Sequence, residues 1–196
     1  AQMCLRNLDG PKALQRHILV ISSEWRADKS LAPLKQDKYN QYVTGVDVSE
    51  ESLKNSQYDN AQEFFNNEVK LRCENMPKGG IVLFDDSMDS CCPSQLRTLI
   101  NRMLRVSRHQ GVSILVILHS IKSGTWSSQA YNSIRALVLF PRSQKNKIIT
   151  YLNKDIGLPL QEARRTVREF AQVSRTMIVR IQAPECLIGT QLIKLL

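Results

Sequence analysis

No apolar run in this chain approaches the roughly 20 residues needed to cross a bilayer, and its first residues carry no signal-peptide core, so the chain reads as soluble. Cysteine is sparse and odd in number. Cys4, Cys73, Cys91, Cys92 and Cys186 show no C-x-x-C spacing, which argues against a structural zinc site and a secreted disulfide framework and points to a reducing, intracellular setting. There is no internal repeat and no low-complexity tract. Acidic residues thin out along the chain: residues 1–96 carry 11 Lys/Arg and 14 Asp/Glu, net −3, whereas residues 97–196 carry 16 and 4, net +12. A basic half of that size points to a polyanion, most commonly nucleic acid. Aromatics are scarce there, which favours contact with a phosphate backbone over stacking on unpaired bases.

What is present alternates between strand and helix. At 196 residues one domain is expected. Met3, Cys4 and Leu8 fit a helical face, His17 to Ile21 a buried strand, and residues 26–58 a long polar connection with short elements. Asp59 to Leu71 reads as a helix capped by Asp59. Lys78 to Asp89 follows, with the apolar strand Ile81 to Phe84 running into Asp85 and Asp86. Pro93 opens a helix with Leu96, Leu99, Ile100, Met103 and Leu104 inward, ended by Gly111. Val112 to Leu118 is a third buried strand and Ala136 to Phe140 a fourth. Helices near 143–154 and 160–172 and two closing strands, Met177 to Ile181 and Leu187 to Leu195, complete an α/β chain with a largely parallel central sheet flanked by helices and a closing β-hairpin.

In such sheets ligands lie beyond the carboxyl ends of the strands. Three strands that end in Ser22-Ser23-Glu24, Asp85-Asp86 and His119-Ser120 would bring those groups to one edge if they are parallel neighbours. That is the layout of a nucleotide-hydrolysing site: the first acid holds Mg²⁺ through water, the second orients the attacking water, and a polar group on the next strand touches the γ-phosphate.

The same residues resemble the genome-packaging ATPases of large DNA viruses, within the FtsK/HerA superfamily. Ile81-Val82-Leu83-Phe84-Asp85-Asp86 is similar to that family's Walker B, and Arg108-His109-Gln110-Gly111-Val112-Ser113 to the stretch before its sensor strand. Asn132 and Arg135 resemble the Asn and Arg ahead of its next strand, and Arg180 to Ile188 its closing hairpin. The resemblance implies a P-loop NTPase-like fold of the RecA/ASCE type and an ATP-hydrolysing motor that translocates double-stranded DNA into a capsid. It implies Mg²⁺ and ATP as cofactors, with Asp85 on Mg²⁺, Asp86 orienting water, His119 as sensor, Arg108 as an arginine finger reaching a neighbouring subunit, and Asn132 and Arg135 near the nucleotide. A homo-oligomeric ring, capsid or portal-vertex partners, and a place in the virion or infected cell follow from the same resemblance. Arg105, Lys122, Arg142, Lys145, Lys147, Arg164, Arg165 and Arg168 are candidate DNA contacts.

The sequence departs from the family twice. His119 stands where a Gln is usual, and no G-x-x-x-x-G-K-[S/T] run occurs: Gly10-Pro11-Lys12 and Lys78-Gly79-Gly80 have the wrong spacing, and Pro11 lacks an amide N–H for a phosphate. The resemblance places that loop upstream of Ala1. Two other readings stand beside the motor: a non-hydrolysing DNA-binding or scaffold domain that has lost the loop, and a metal-dependent phosphohydrolase or nuclease using Asp85, Asp86 and Asp89.

Overall fold

The computed structural model describes residues 17–39, 41–117, 132–181 and 185–195. The chain groups into two compact units, residues 1–130 and 131–196.

The first unit is built on a four-stranded, all-parallel sheet in the order β2-β1-β3-β4, comprising β1 (Ile18–Ser22), β2 (Val43–Asp47), β3 (Ile81–Asp85) and β4 (Ser113–Val116). Strands β1 and β3 occupy the centre because their uninterrupted apolar runs suit a sheet covered on both faces. Every residue of β1 is buried, as is all of β3 after Ile81. Leu19, Ile21, Val82 and Phe84 face one layer, with Phe64, Phe65, Val69, Leu96, Leu99, Ile100 and Met103 packed against them. Ile18, Val20 and Leu83 face the other, closed by Leu31, Leu34 and Tyr39 from the short 3-10 turns at Lys29–Lys35 and Asp37–Tyr39.

The polar connection at residues 26–58 proved to contain a strand. Val43-Thr44-Gly45-Val46-Asp47 pairs parallel with β1, register Ile18↔Val43 to Ser22↔Asp47. Gly45 hid it from pattern reading, and the fold shows why the glycine is there. The Trp25 ring lies directly against its Cα, filling the place a Cβ would take, while the Lys35 ammonium sits 5.1 Å from the centre of that ring. A short helix α1 (Glu50–Lys54) follows, capped by the Ser49 hydroxyl.

The next helix, α2, begins one residue later than expected. Asn60, not Asp59, is its cap, accepting the Glu63 N–H at 2.9 Å, while the Glu63 carboxylate reaches back to the Asp59 N–H at 3.4 Å. It runs through Ala61–Phe64, widens into a π-helical stretch at Phe65–Lys70 and closes at Leu71–Glu74. Helix α3 (Pro93–Gln110) has the expected inward face, and Gly111 ends it at φ 68°, a left-handed conformation that suits glycine. Strand β4 is not the fully buried strand expected: Ile114 and Val116 pack on the core, but Ser113, Leu115 and Ile117 on its other face are exposed.

The second unit holds a separate antiparallel sheet, β5-β6-β7-β8: the closing strands are antiparallel as the expected hairpin requires, but the strand expected at Ala136 to Phe140 joins them and not the parallel sheet. Its strands are β5 (Ala136–Leu139), β6 (Met177–Arg180), β7 (Cys186–Ile188) and β8 (Ile193–Leu195); the two closing strands are therefore three. The reversal follows from connectivity, since β6, β7 and β8 are joined by segments too short for a parallel crossover. Helices α4 (Lys145–Lys154) and α5 (Leu160–Val173) bury Ile148, Tyr151, Leu152, Ala163, Val167 and Phe170. Lys194 of β8 binds Glu162 and Thr166 of α5, each at 2.9 Å. Among the described residues no helix is long and apolar enough to cross a membrane.

Gly45→Ala should destabilise the first unit by about 1–3 kcal/mol, because the added methyl must displace the Trp25 ring. Urea unfolding followed by Trp25 fluorescence, in a Trp126→Phe background, measures it; an unchanged midpoint would show that the ring yields freely.

Candidate active site

The parallel register aligns three strand ends. Ser22 pairs with Asp47 on one side and Asp85 on the other, so the three side chains stand abreast on one face at the carboxyl edge of the sheet. With neighbouring strands about 4.8 Å apart, the two carboxylate-bearing Cα atoms lie roughly 10 Å apart. Asp47 escaped the sequence reading because its strand did; the signal present was Gly45-Val46-Asp47, a short apolar step into an acid. Its carboxylate accepts the Ser49 N–H at 3.0 Å and faces the Arg26 guanidinium at 3.7 Å. Ser22 is wholly buried and its hydroxyl accepts the Glu24 N–H at 3.1 Å, which turns the chain away after β1.

Asp85 is only 7% exposed at the end of β3. Buried carboxylates require compensating partners, and Asp85 has an interaction within the fold. The next residue breaks the strand abruptly. Asp86 stands at φ 45°, ψ 27°, and among the described residues it alone takes a left-handed backbone without being glycine. Aspartate tolerates this region better than most residues, yet it remains costly relative to extended or helical backbone. The conformation is held by its own carbonyl, which accepts the Ser23 hydroxyl at 2.8 Å and the Asp89 N–H at 3.3 Å. Backbone strain held in place by its surroundings concentrates at functional sites. Here it ends the strand between two consecutive acids, Asp85 buried and Asp86 partly exposed.

Of the other predicted residues, Arg108 lies far from this edge. Helix α3 starts beside the acidic turn and ends at the opposite, amino edge, where Gly111 O accepts the Gly79 N–H at 2.8 Å. Its 18 residues span about 27 Å. The exposed Arg108 therefore does not share a site with Asp85 of the same chain, and it stands in the last turn of α3, where the helix dipole favours a cation. His17 and His109 are at that far edge too. Arg105 is exposed on α3 and has an interaction within the fold. Asn132 and Arg135 are exposed residues of the second unit, and the Arg135 carbonyl accepts the Ile181 N–H at 3.0 Å. His119 and Lys122 lie outside the described residues. Among the described residues no three His, Cys, Asp or Glu side chains form a group able to hold a metal ion, so the three-carboxylate centre of Asp85, Asp86 and Asp89 is not assembled there.

The basic candidates of the second unit divide by what they touch. Arg142 donates from Nε to the Ala171 carbonyl at 2.8 Å, closing the end of α5. Arg165 sits between Glu162 at 4.0 Å and Glu169 at 3.9 Å. Arg164 and Arg168 are exposed one turn apart on α5, and Lys145 and Lys147 are exposed in the first turn of α4, which carries no acid. Cations in a first turn oppose the helix dipole, a cost that an external anion would remove.

The fold and edge define an α/β protein with a parallel sheet whose carboxyl end carries an acid pair. No protein-family model and no curated protein sequence matches the chain. Among solved structures it is similar to the genome packaging NTPase B204 of Sulfolobus turreted icosahedral virus 2, in complex with ATP-gammaS, at 16% identity over 93% of this chain and 82% of that one, with a TM-score of 0.49. The same NTPase in complex with AMPPCP is similar at 13% identity over 92% and 96% of the two chains, TM-score 0.41.

Asp86→Ala should be less stable than Asp86→Gly by about 1 kcal/mol, because only glycine occupies the left-handed region freely. Ser23→Ala should cost about 1 kcal/mol by removing one bond to the Asp86 carbonyl. Chemical denaturation of the three variants provides the comparison; equal stability of the Ala and Gly forms would mean that the turn relaxes without strain.

Proposed function

We propose that this chain is the ATPase core of a P-loop NTPase-like motor that moves double-stranded DNA into a viral capsid. The observation that carries the reading is the acid pair at the end of β3: a buried Asp85 followed by a left-handed Asp86 whose backbone is held by Ser23. Asp85, shielded at the strand end, suits a Mg²⁺ ion held through water, and the partly exposed Asp86 suits a group that orients water and takes its proton. Mg²⁺ bound with ATP would neutralise charge on the β- and γ-phosphoryl oxygens. The Ser23 hydroxyl ties the end of β1 to the Asp86 carbonyl, which holds the acidic turn against the sheet. The 196 residues contain no Gly-rich loop ending in Gly-Lys, so in this reading they do not themselves supply the phosphate cradle.

The second unit carries 11 Lys/Arg and 4 Asp/Glu. Arg164, Arg168, Lys145 and Lys147 are the side chains we assign to the DNA backbone, while Arg142 and Arg165 serve the fold. Arg108, at the far end of α3, acts in this reading on the nucleotide of a neighbouring subunit, which calls for a ring. The absent cradle also motivates the competing reading, a DNA-binding scaffold without hydrolysis.

One measurement decides between them, and a second tests the DNA binding that both share. The full-length gene product should hydrolyse MgATP, with kcat lowered at least about 100-fold by Asp85→Asn or Asp86→Asn; absence of turnover, or full activity in Asp86→Asn, would sink the motor. Duplex-DNA affinity should fall linearly on a log–log plot against salt, and Arg164→Gln with Arg168→Gln should lower that slope by about 1 per charge removed. A flat salt plot would remove DNA from either reading.

A further inference from the structure

Cys91 and Cys92 lie between the acidic turn and α3, and neither has a part in the site described above. Cys91 is partly exposed; Cys92 is 1% exposed and packed in the core with Leu96 and Ile100. They are adjacent in the chain, one side chain reachable and the other in the core. The backbone around them is committed on both sides. The Cys91 N–H donates to the Val48 carbonyl at 2.9 Å, the Cys92 N–H to the Ser90 hydroxyl at 3.4 Å, and the Leu96 N–H to the Cys92 carbonyl at 3.0 Å, the first hydrogen bond of α3. Both are free thiols.

We propose that Cys91 and Cys92 are a redox-modification site, a vicinal dithiol that hydroperoxides oxidise reversibly to an intraresidue-pair disulfide and so loosen the turn bearing Asp85 and Asp86. The partial exposure of Cys91 makes it the first nucleophile. Its sulfur attacks the peroxide, the O–O bond breaks, an alcohol or water leaves, and Cys91 becomes a sulfenic acid. The Cys92 sulfur, on the next residue, then attacks the Cys91 sulfur; the S–S bond forms, the S–O bond breaks, and hydroxide leaves as water with the Cys92 proton. Two thiols have supplied two electrons and the peroxide has accepted them.

Three observations favour this pair over the other described cysteines. Cys73 is buried, and burial with the neighbouring Glu74 pushes its thiol up to about 12. Cys186 is also buried, whereas Cys91 is reachable. Cys91 is held below the ordinary thiol range by its hydrogen bond with Cys92, against burial and the carboxylates of Glu50 and Asp47, while that same bond and burial push Cys92 up. Exposure divides the roles, with reachable Cys91 the attacking thiol and buried Cys92 the resolving one.

The consequence for the fold comes from chain geometry. Successive Cα atoms are about 3.8 Å apart, inside the roughly 4.4 Å lower limit of ordinary disulfides, so the ring closes only if the Cys91–Cys92 backbone turns. That turn pulls on the bond to Val48 and on the first hydrogen bond of α3, a few residues from Asp86. A disulfide outside the relaxed range is also easily reduced, as a reversible modification requires.

The test treats the reduced full-length protein with a small excess of hydrogen peroxide, alkylates with N-ethylmaleimide and reads intact mass and peptides. The expected product is lighter by about 2 Da, with Cys91 and Cys92 protected from alkylation until dithiothreitol is added. Amide exchange over residues 85–96 should quicken several-fold in that product. Cys91→Ser should give no such species, and because it replaces a partly exposed side chain it guards against misfolding of the buried Cys92→Ser. A product heavier by about 32 Da at Cys91 with Cys92 still alkylated, or a disulfide from either residue to another cysteine, would overturn the proposal.

Discussion

Everything at the candidate site depends on the parallel pairing of β1 with both β2 and β3. Two apolar strands buried on both faces have no solvent to satisfy their backbone amides and carbonyls, so each must be paired along its length. The pairing that satisfies them sets Ser22 level with Asp47 and Asp85. A shift of one residue would turn the alternate side chains to the other layer, sending Phe84 and Ile21 out of the core that holds Phe64, Leu96 and Ile100. Register is therefore determined by the hydrophobic layers, and the polar edge follows from it.

The turn after β3 shows how that rigidity is put to use. A buried strand that ends in two acids faces a conflict, because both carboxylates cannot remain in the sheet. The left-handed Asp86 resolves it by reversing the chain at once, and the Ser23 hydroxyl from the end of β1 holds the reversal. The next segment is tied to the same sheet through Val48, whose N–H meets the Ser22 carbonyl at 3.0 Å and whose carbonyl meets Cys91. One backbone residue thus links the ends of β1 and β2 to the start of α3. A disturbance at Cys91 and Cys92 is transmitted along that short path.

Much of this was legible in the residues. The apolar runs at 18–21 and 81–84, the acid pair, the Pro93 start and Gly111 stop of α3, and the inward face of α3 all rest on local rules that the structure obeys. Strand β2 was not legible, because Gly45 breaks its apolar pattern and serves a contact with Trp25 that is remote in sequence. Asp47 disappeared with it. The closing hairpin was read correctly, but Ala136 to Phe140 was placed with the parallel strands, because short apolar runs look alike in parallel and antiparallel sheets and only the partner distinguishes them. The basic residues were countable but not sortable, since only the fold shows Arg142 spent on the end of α5 and Arg164 and Arg168 facing outward.

By itself the sequence determined that Val82 to Phe84 would be buried and that two carboxylates would follow, because hydrophobic burial and strand propensity act on neighbours in the chain. Only the tertiary structure decided that Asp85 would stand beside Ser22 and Asp47, that Asp86 would turn left-handed, and that Arg108 would finish at the opposite edge. Those outcomes depend on pairing and packing between segments tens of residues apart, and no local pattern of residues carries that information.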